Sequence, residues 1–413
     1  MRVKAYMPFL IAIGATLPGT AVRFLGIHTE PAITALMSGI AIMGASFLLL
    51  WACDAAQADI SRALALAVIA LIAVLPEYAV DMYFTWQAGK NPGSAYAHYA
   101  IANMTGANRL LIGVAWGLIA LIFWFRRRQV VQLGSDRRTE LLFLGMATAY
   151  AFVIPIKGSL TLFDSAVFFG LYVWYIVLSA RRPCDQVEGE GPAKVLLSLP
   201  RARRRAAVAG LLLFAAGVIL ANAEPFSEGL VATGKVWGIN EFLLVQWLAP
   251  IASEAPEFTV AIVFAWRGQA DMALGSLLSS KLNQWTLLVG MIPGVFAISH
   301  QSLDHPIPMD AYQMREILLT AAQSLLAVVL LASLRLSLGG AILLFGLFAG
   351  QLILPQLASG NPAVMLGVPA DRIHDLFTLL YCVTAAALFL QRPSRLWSLR
   401  FGLKTGVDGD SVR

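Results

Sequence analysis

The sequence predicts an all-α polytopic membrane protein with about 12 transmembrane helices, and three observations support this fold class. The 413 residues are 58% hydrophobic and only 13% charged, about half the charged fraction of a typical soluble protein. The apolar residues form continuous runs of about 20 residues, the length that crosses a bilayer as a helix. Two such runs, one in each half of the chain, contain a Pro-Glu pair: Pro76-Glu77 and Pro256-Glu257.

The predicted helices alternate with short polar breaks. They run at roughly 7–27, 31–56, 61–88, 94–125, 139–156, 160–180, 206–234, 239–267, 270–298, 312–334, 337–355 and 372–391. Because the apolar runs are continuous rather than alternating, they exclude a transmembrane barrel. A cleaved signal peptide is the alternative interpretation of the first run.

The positions of the basic residues favour twelve spans with both termini in the cytoplasm. With this topology 22 of the 30 Lys and Arg residues lie in cytoplasmic loops, tails or helix ends, and six lie outside, as the positive-inside rule requires. The net charge of +6 therefore needs no nucleic-acid partner. We expect an integral protein of a bacterial inner membrane, whose partners are the lipid bilayer and inorganic cations.

A charged linker divides the chain into two matching halves. The linker, 181–205, contains several Pro, Gly and basic residues and is predicted to be cytoplasmic. It separates two sets of five helices, 31–180 and 206–355. Since five is an odd number, the second set must be inverted relative to the first. An extra helix in 1–30 and the segment 356–413, with a last helix and a basic tail, lie outside the two repeats.

Polar residues near the middle of four matching helices form the candidate site. Glu77 and Asp81 are four residues apart on the third helix, and Glu254 and Glu257 are three apart on the eighth, so each pair shares a face. The fourth and ninth helices contribute Asn103, Asn108, Arg109, Ser276, Ser280, Lys281 and Gln284. A charge at this depth costs roughly 2.5–3.5 kcal/mol and generally marks a functional site. Carboxylate, amide and hydroxyl oxygens suit hard cations such as Ca²⁺ and Na⁺.

This pattern resembles the cation/Ca²⁺ antiporter superfamily, whose best-known members are the sodium/calcium exchangers. That superfamily has two inverted five-helix repeats, each with G-T-S-x-P-E on one helix and G-N/D-x-x-G-S-N-x-x-N/D on the next. The similarity covers about 31–355 and is strongest at the two Pro-Glu pairs. The resemblance implies that Glu77 and Glu257 are the central ligands of the transported cation. It implies a second group of ligands: Asn103, Asn108, Ser253, Ser276 and Ser280.

Departures from the family pattern affect the expected ion chemistry. The first repeat has Ile72-Ala73-Val74 where the family has Gly-Thr-Ser, so it lacks hydroxyls that help to hold Na⁺. In the second repeat Glu254 adds a carboxylate to the expected cation site. Lys281 stands at a family Asn. We hypothesise that Lys281 pairs with Glu254 or Glu257 as a tethered cation, or that it carries the proton. A static ion pair that stabilises the helices is the structural alternative.

Asp81, Arg109 and Gln284 are expected to tune the site, and Asp81 with Arg109 is a second candidate ion pair. The predicted function is a secondary antiporter that exchanges Ca²⁺ or Na⁺ against Na⁺ or H⁺, without enzymatic activity or a cofactor. The alternatives are a Na⁺/H⁺-type antiporter that uses Lys281 and a transport-inactive sensor. The sequence has no H-E-x-x-H or G-x-S-x-G motif and no phosphate-binding Gly-rich loop.

Overall fold

The structure is a computed structural model and describes residues 2–60, 72, 74–181, 191–360, 370–391 and 393–403. Within these ranges, eleven helices are long and apolar enough to cross a membrane. They coincide with eleven of the twelve predicted spans, which confirms the predicted class of polytopic helical membrane protein. The remaining span, 61–88, lies partly outside the described residues, so the count of twelve and the inverted repeat stay predictions.

The helices are numbered in chain order. The first eight are α1 (Arg2–Leu25), α2 (Pro31–Ala56), α3 (Leu75–Lys90), α4 (Tyr96–Leu110), α5 (Gly117–Arg127), α6 (Arg138–Ala151), α7 (Val153–Lys157) and α8 (Leu162–Ala180). They are followed by α9 (Ala193–Leu197), α10 (Arg201–Trp237), α11 (Glu241–Arg267), α12 (Ala270–Asn283), α13 (Val289–His300), α14 (Ala311–Leu331), α15 (Leu338–Gly360), α16 (Ala370–Gln391) and α17 (Ser394–Trp397).

Two π-helical segments continue the helical path between neighbouring helices. Leu111–Trp116 joins α4 to α5, and Gln284–Leu288 joins α12 to α13. Two short stretches of 3₁₀ helix lie at Ser135–Arg137 and Ser398–Leu403. A two-residue antiparallel pair, β1 (Val131–Gln132) with β2 (Arg335–Leu336), is an addition to the predicted all-α architecture.

The chain packs as two compact units, and each unit takes segments from both halves of the sequence. The first unit contains Met1–Gln87 and Ile176–Pro256, and the second contains Ala88–Tyr175 and Glu257–Lys404. The boundaries fall inside α3, α8 and α11. The domain boundaries expected from the sequence follow the repeat instead, and they remain predictions.

In the first unit, α2 packs against α1 and α10 through small residues. A Cβ atom on Gly44 would lie 2.6 Å from the carbonyl oxygen of Ala12, and one on Gly229 would lie 2.9 Å from the amide nitrogen of Ala35. Such positions let helix backbones approach closely inside a membrane, where packing rather than water drives association. Apolar side chains from all three helices then fill the core, including Phe9, Leu48, Leu49 and Ile219.

The bend that follows α2 is tied to the start of α10. Both oxygens of Asp59 accept hydrogen bonds from Arg204, at 2.7 and 3.0 Å, and Arg201 donates another at 3.2 Å. The hydrogen bond from Arg204 is the largest of the effects that lower the pKa of Asp59 to about 2. The carboxylate is therefore ionised at neutral pH and holds the basic first turn of α10 against the end of α2.

In the second unit, α14 packs against α4, α6 and α16, and α15 packs against α16 and the π-helical segment after α4. Gly113 in that segment faces the ring of Phe348 on α15 so closely that any side chain at Gly113 would overlap the ring. Because α14 contacts both α4 and α16, polar side chains on these three helices can reach one another.

Candidate functional site

The first Pro-Glu pair lies at the start of a helix. Since α3 begins at Leu75, Pro76 and Glu77 occupy its first turn. Proline is tolerated there because a first-turn amide has no helical acceptor, and the positive end of the helix dipole favours a carboxylate. Glu77 is 3% exposed and Asp81 is fully buried. The first unit therefore holds two buried acidic side chains on one face of α3.

The second Pro-Glu pair lies inside a continuous helix. α11 runs through both Pro250 and Pro256, neither of which can donate to the carbonyl four residues earlier. The Ser253 hydroxyl donates to the carbonyl oxygens of Ala249 and Pro250, at 3.2 and 3.3 Å. Ser253 and Glu254 are buried and belong to the first unit, as Glu77 and Asp81 do.

Glu257 follows Pro256 directly and belongs to the second unit. The hydroxyl of Ser280 on α12 donates a hydrogen bond of 2.8 Å to Oε2 of Glu257. This contact joins two residues that the sequence assigned to the cation site. Ser276, one turn earlier on α12, is exposed and donates to the carbonyl oxygen of Ala273 at 3.0 Å.

Lys281 is fully buried, and two oxygens and an aromatic face surround its ammonium group. Its Nζ donates to the side-chain oxygen of Asn108 at 2.7 Å and lies 3.4 Å from the Asn108 carbonyl oxygen. The same atom lies 4.4 Å from the centroid of the Trp285 ring, within the range of a cation–π interaction. The Asn108 amide donates to the Met104 carbonyl oxygen at 2.8 Å, which turns the amide oxygen toward Lys281.

By the predicted repeat, Lys281 and Asn108 hold corresponding places in the two halves. They are 173 residues apart, and the same separation relates Ser276 to Asn103. The two π-helical segments begin at Leu111 and Gln284, which are separated by the same number of residues. π-Helical turns are rare and often occur at functional sites. Sequence reasoning missed both turns, because a π turn has no residue signature comparable to proline or glycine.

Arg109 contacts a carboxylate that the sequence analysis did not identify. Its guanidinium group binds Oε2 of Glu316 on α14, and both side chains are almost fully buried. Nδ1 of His374 on α16 lies 2.7 Å from the other oxygen of Glu316. The amide of Gln323 donates to the Arg109 carbonyl oxygen at 3.3 Å. Glu316 could have been found as an acidic residue in an apolar span, but it lies outside the two repeated helix pairs.

The other predicted site residues are also buried. Asn103 is 1% exposed and Gln284, the first residue of the second π-helical segment, is fully buried. Among the described residues, no three His, Cys, Asp or Glu side chains form a group that could hold a metal ion. The assignment of individual carboxylates to a cation therefore stays a prediction.

Comparisons with known proteins agree with one another. The sodium/calcium exchanger protein family matches residues 31–181 and 207–355. The H⁺/Ca²⁺ exchanger CAX is 41% identical with a TM-score of 0.90, and the match covers 97% of this chain and 98% of that protein. A protein from Alkalimonas amylolytica that carries the name antiporter CaxA is 24% identical over 295 residues, which is 67% of this chain and 88% of that protein. The sodium-calcium exchanger NCX_Mj shares the fold, with 20% identity, a TM-score of 0.50 and coverage of 77% and 96%.

Proposed function

The chain belongs to the sodium/calcium exchanger family, and on that premise we propose that it exchanges Ca²⁺ against protons across a membrane. The family consists of antiporters, so the expected activity is transport rather than the conversion of a substrate. The proposal has three parts: the groups that bind the cation, the identity of the counter-ion and the role of the buried lysine.

We propose that Glu77 and Glu257 bind the transported cation. The observation that carries this part is the hydrogen bond from Ser280 to Glu257, since it joins a carboxylate and a hydroxyl from neighbouring helices of one repeat. Oxygen groups of this kind are the ligands that Ca²⁺ prefers. Asn103, Asn108, Ser253, Glu254 and Ser276 are the further ligands in this proposal. A carboxylate cannot bind a proton and a cation through the same lone pairs, so competition at the carboxylates would couple the two fluxes.

Two observations favour protons over Na⁺ as the counter-ion. The first repeat has Ile72-Ala73-Val74 in place of the hydroxyl-bearing Gly-Thr-Ser. The Lys281 ammonium already occupies a cage of two oxygens and an aromatic ring, where it takes the place of a monovalent cation. In addition, the relative that is 41% identical is an H⁺/Ca²⁺ exchanger.

A second candidate, Na⁺ transport against protons, rests on the same buried ammonium group. A site that already holds one positive charge has less need of a divalent ion, and Na⁺ accepts the same oxygen ligands. The two candidates differ only in the cation that moves, so a single assay with several cations separates them.

The test is cation-dependent proton flux in liposomes that contain the purified protein and an internal pH dye. With an imposed pH gradient, we expect Ca²⁺ to collapse the gradient faster than Na⁺ or K⁺. Glu257→Gln should slow the Ca²⁺-dependent flux by more than about tenfold, since lost metal-site groups typically cost 10- to 100-fold. Glu241→Gln is the matched control, because Glu241 lies in the first turn of the same helix and should not affect the flux.

A faster collapse with Na⁺ than with Ca²⁺ would favour the second candidate. Ca²⁺ uptake that depends on an opposing Na⁺ gradient and is insensitive to pH would contradict proton coupling. An equal flux in Glu257→Gln and the unmodified protein would contradict the role of Glu257.

A further inference from the structure

Three side chains in the second unit, His374, Glu316 and Arg109, contact one another in series and lead to the helix that carries Asn108. Glu316 on α14 uses its two oxygens for different partners: Oε1 lies 2.7 Å from Nδ1 of His374, and Oε2 binds Arg109. Glu316 is fully buried, whereas 12% of the His374 side chain is exposed. Of the three residues, His374 is the most exposed, and because it lies near the predicted outer end of its span we expect water to reach it.

The protonation states follow from the geometry. An arginine stays protonated inside proteins, so its contact keeps Glu316 ionised. Nδ1 of His374 and Oε1 of Glu316 lie 2.7 Å apart without meeting hydrogen-bond geometry. Two lone pairs at that distance would repel each other, which favours a proton on Nδ1 of His374. The other ring nitrogen then carries a free lone pair and can take up a second proton. One carboxylate is then shared between two cations.

The other charged groups near His374 have ion-pair partners of their own, so Glu316 is the carboxylate that His374 and Arg109 share. Asp375, the next residue on α16, lies 3.6 Å from Arg315 and 3.5 Å from Arg372. The Tyr312 ring lies 6.0 Å from the His374 ring, and the phenols of Tyr312 and Tyr381 are neutral near pH 7. α15 also packs on α16, but Leu338–Leu357 contains no titratable side chain. On α4, Arg109 is joined by His98, which is paired at 3.9 Å with Asp310.

Arg109 links the protonation state of His374 and Glu316 to the surroundings of Lys281. α14 holds Arg109 at two points: Glu316 binds its guanidinium group, and Gln323 donates to its carbonyl oxygen at 3.3 Å. Asn108, the preceding residue, supplies both oxygens that surround the Lys281 ammonium. A weaker contact between Glu316 and Arg109 would therefore shift the backbone at Arg109, and with it the neighbouring Asn108.

We propose that His374 and Glu316 form an accessory proton-binding site, separate from the carboxylates of the candidate cation site, whose occupancy adjusts exchange through Arg109. A proton from water binds the second ring nitrogen of His374, and the resulting imidazolium competes with Arg109 for Glu316. The effect on transport rests on the proposed exchange activity, whereas proton uptake by His374 does not. By the predicted topology, His374 takes this proton from the outer side of the membrane.

The transport test measures initial Ca²⁺-dependent proton flux in oriented liposomes, with the pH varied on the outer side and held constant inside. Because protons are the proposed counter-ion, the rate depends on the outer pH in every variant. The expected result is that the ratio of the rates at about pH 6 and about pH 8 differs between His374→Gln and the unmodified protein. His374→Phe should behave in the same way, because it keeps an aromatic ring beside Tyr312 and cannot bind a proton. His98→Gln is the matched control and should keep the original ratio.

A second measurement keeps the site testable without transport. In protein labelled with ¹⁵N-histidine, the ring signals of His374, assigned by their loss in His374→Gln, should report uptake of a second proton between about pH 5 and 8. A ring that keeps one protonation state across that range would overturn the proposal, as would an unchanged pH ratio in both His374 variants. A lack of cation-dependent flux in the unmodified protein would count against the exchange activity alone, and the ¹⁵N signals would still decide the site.

Discussion

At the scale of single residues, the least expected feature is a lysine ammonium group that is fully buried within a membrane span. Such a group is tolerated only where polar partners replace its lost hydration. Lys281 has two oxygens from Asn108 and the face of Trp285. The amide of Asn108 is itself fixed by the Met104 carbonyl oxygen. These are contacts of the kind that a bound cation would make, which supports the tethered-cation hypothesis.

This arrangement predicts that removing the charge changes ion coupling. Lys281→Asn and Lys281→Met both remove the tethered cation, the second with a side chain of similar length. We expect either variant to carry about one additional positive charge per Ca²⁺, since the vacated cage still offers oxygen ligands. The measurement is the membrane potential at which net Ca²⁺ flux stops, at several ion gradients. Lys281→Arg, which keeps the charge, should retain the original reversal potential, and an unchanged value in all three variants would contradict the tethered-cation role.

At the scale of helices, the first unit depends on an ionic link between the end of α2 and the start of α10. Asp59 accepts hydrogen bonds from Arg204 through both oxygens, a geometry in which the arginine side chain is preorganised. The pKa of Asp59 is lowered to about 2. A carboxylate whose pKa is lower in the folded state stabilises the fold above its unfolded pKa of about 3.9, and this contribution disappears as the pH falls toward 2.

The pH dependence of this link can be tested with Asp59→Asn. At pH 7 we expect the variant to have a Tm lower by roughly 1–3 °C, because the ionic hydrogen bonds are lost and the site is partly solvated. The two proteins should converge as the pH falls below about 4. Arg204→Gln should lower the Tm by a similar amount, and adding it to Asp59→Asn should have little further effect. Additive losses, or a difference between the proteins that persists at low pH, would show that the link is not ionic.

At the scale of the whole molecule, the number of spans decides which loops face the cytoplasm. Eleven spans coincide with described helices, and the twelfth would include 61–71, which lie outside the described residues. If that segment did not cross the membrane, every loop after it would change sides. The large basic loops would then face outward, against the positive-inside rule.

Labelling of single cysteines tests this topology. In a variant without Cys53, Cys184 and Cys382, a cysteine at Asp304 should react with an impermeant maleimide in intact cells, since the loop is predicted to lie outside. A cysteine at Ser135, in the basic loop between α5 and α6, should react only after the membrane is permeabilised. Both positions are exposed, so accessibility to the reagent depends on the side of the membrane. The reverse pattern would contradict the twelve-span topology.

The sequence predicted the helices well because lipid imposes the same length and composition on every span. Even the exposed helix α16, at Ala370–Gln391, agrees closely with its predicted span at 372–391. By contrast, the partners of buried charges depend on packing between distant segments. The pairing of Lys281 with Glu254 or Glu257 stays a prediction, and its hydrogen bond to Asn108 was not anticipated. The pairing of Arg109 with Glu316 joins positions 207 residues apart, and periodicity within a helix holds no information about such a pair.

The contact between Lys281 and Asn108 also bears on how such a protein can be assembled. By the predicted repeat these residues hold corresponding places in the two halves, and yet they touch each other. A dimer of two identical half-length chains would bring the same residue to both places: two ammonium groups would repel each other, and two amides would supply no charge. A mixed pair of this kind requires the halves to differ in sequence, which a single fused chain allows. Fusion thus lets the protein keep one fixed positive charge on what would otherwise be an axis of symmetry.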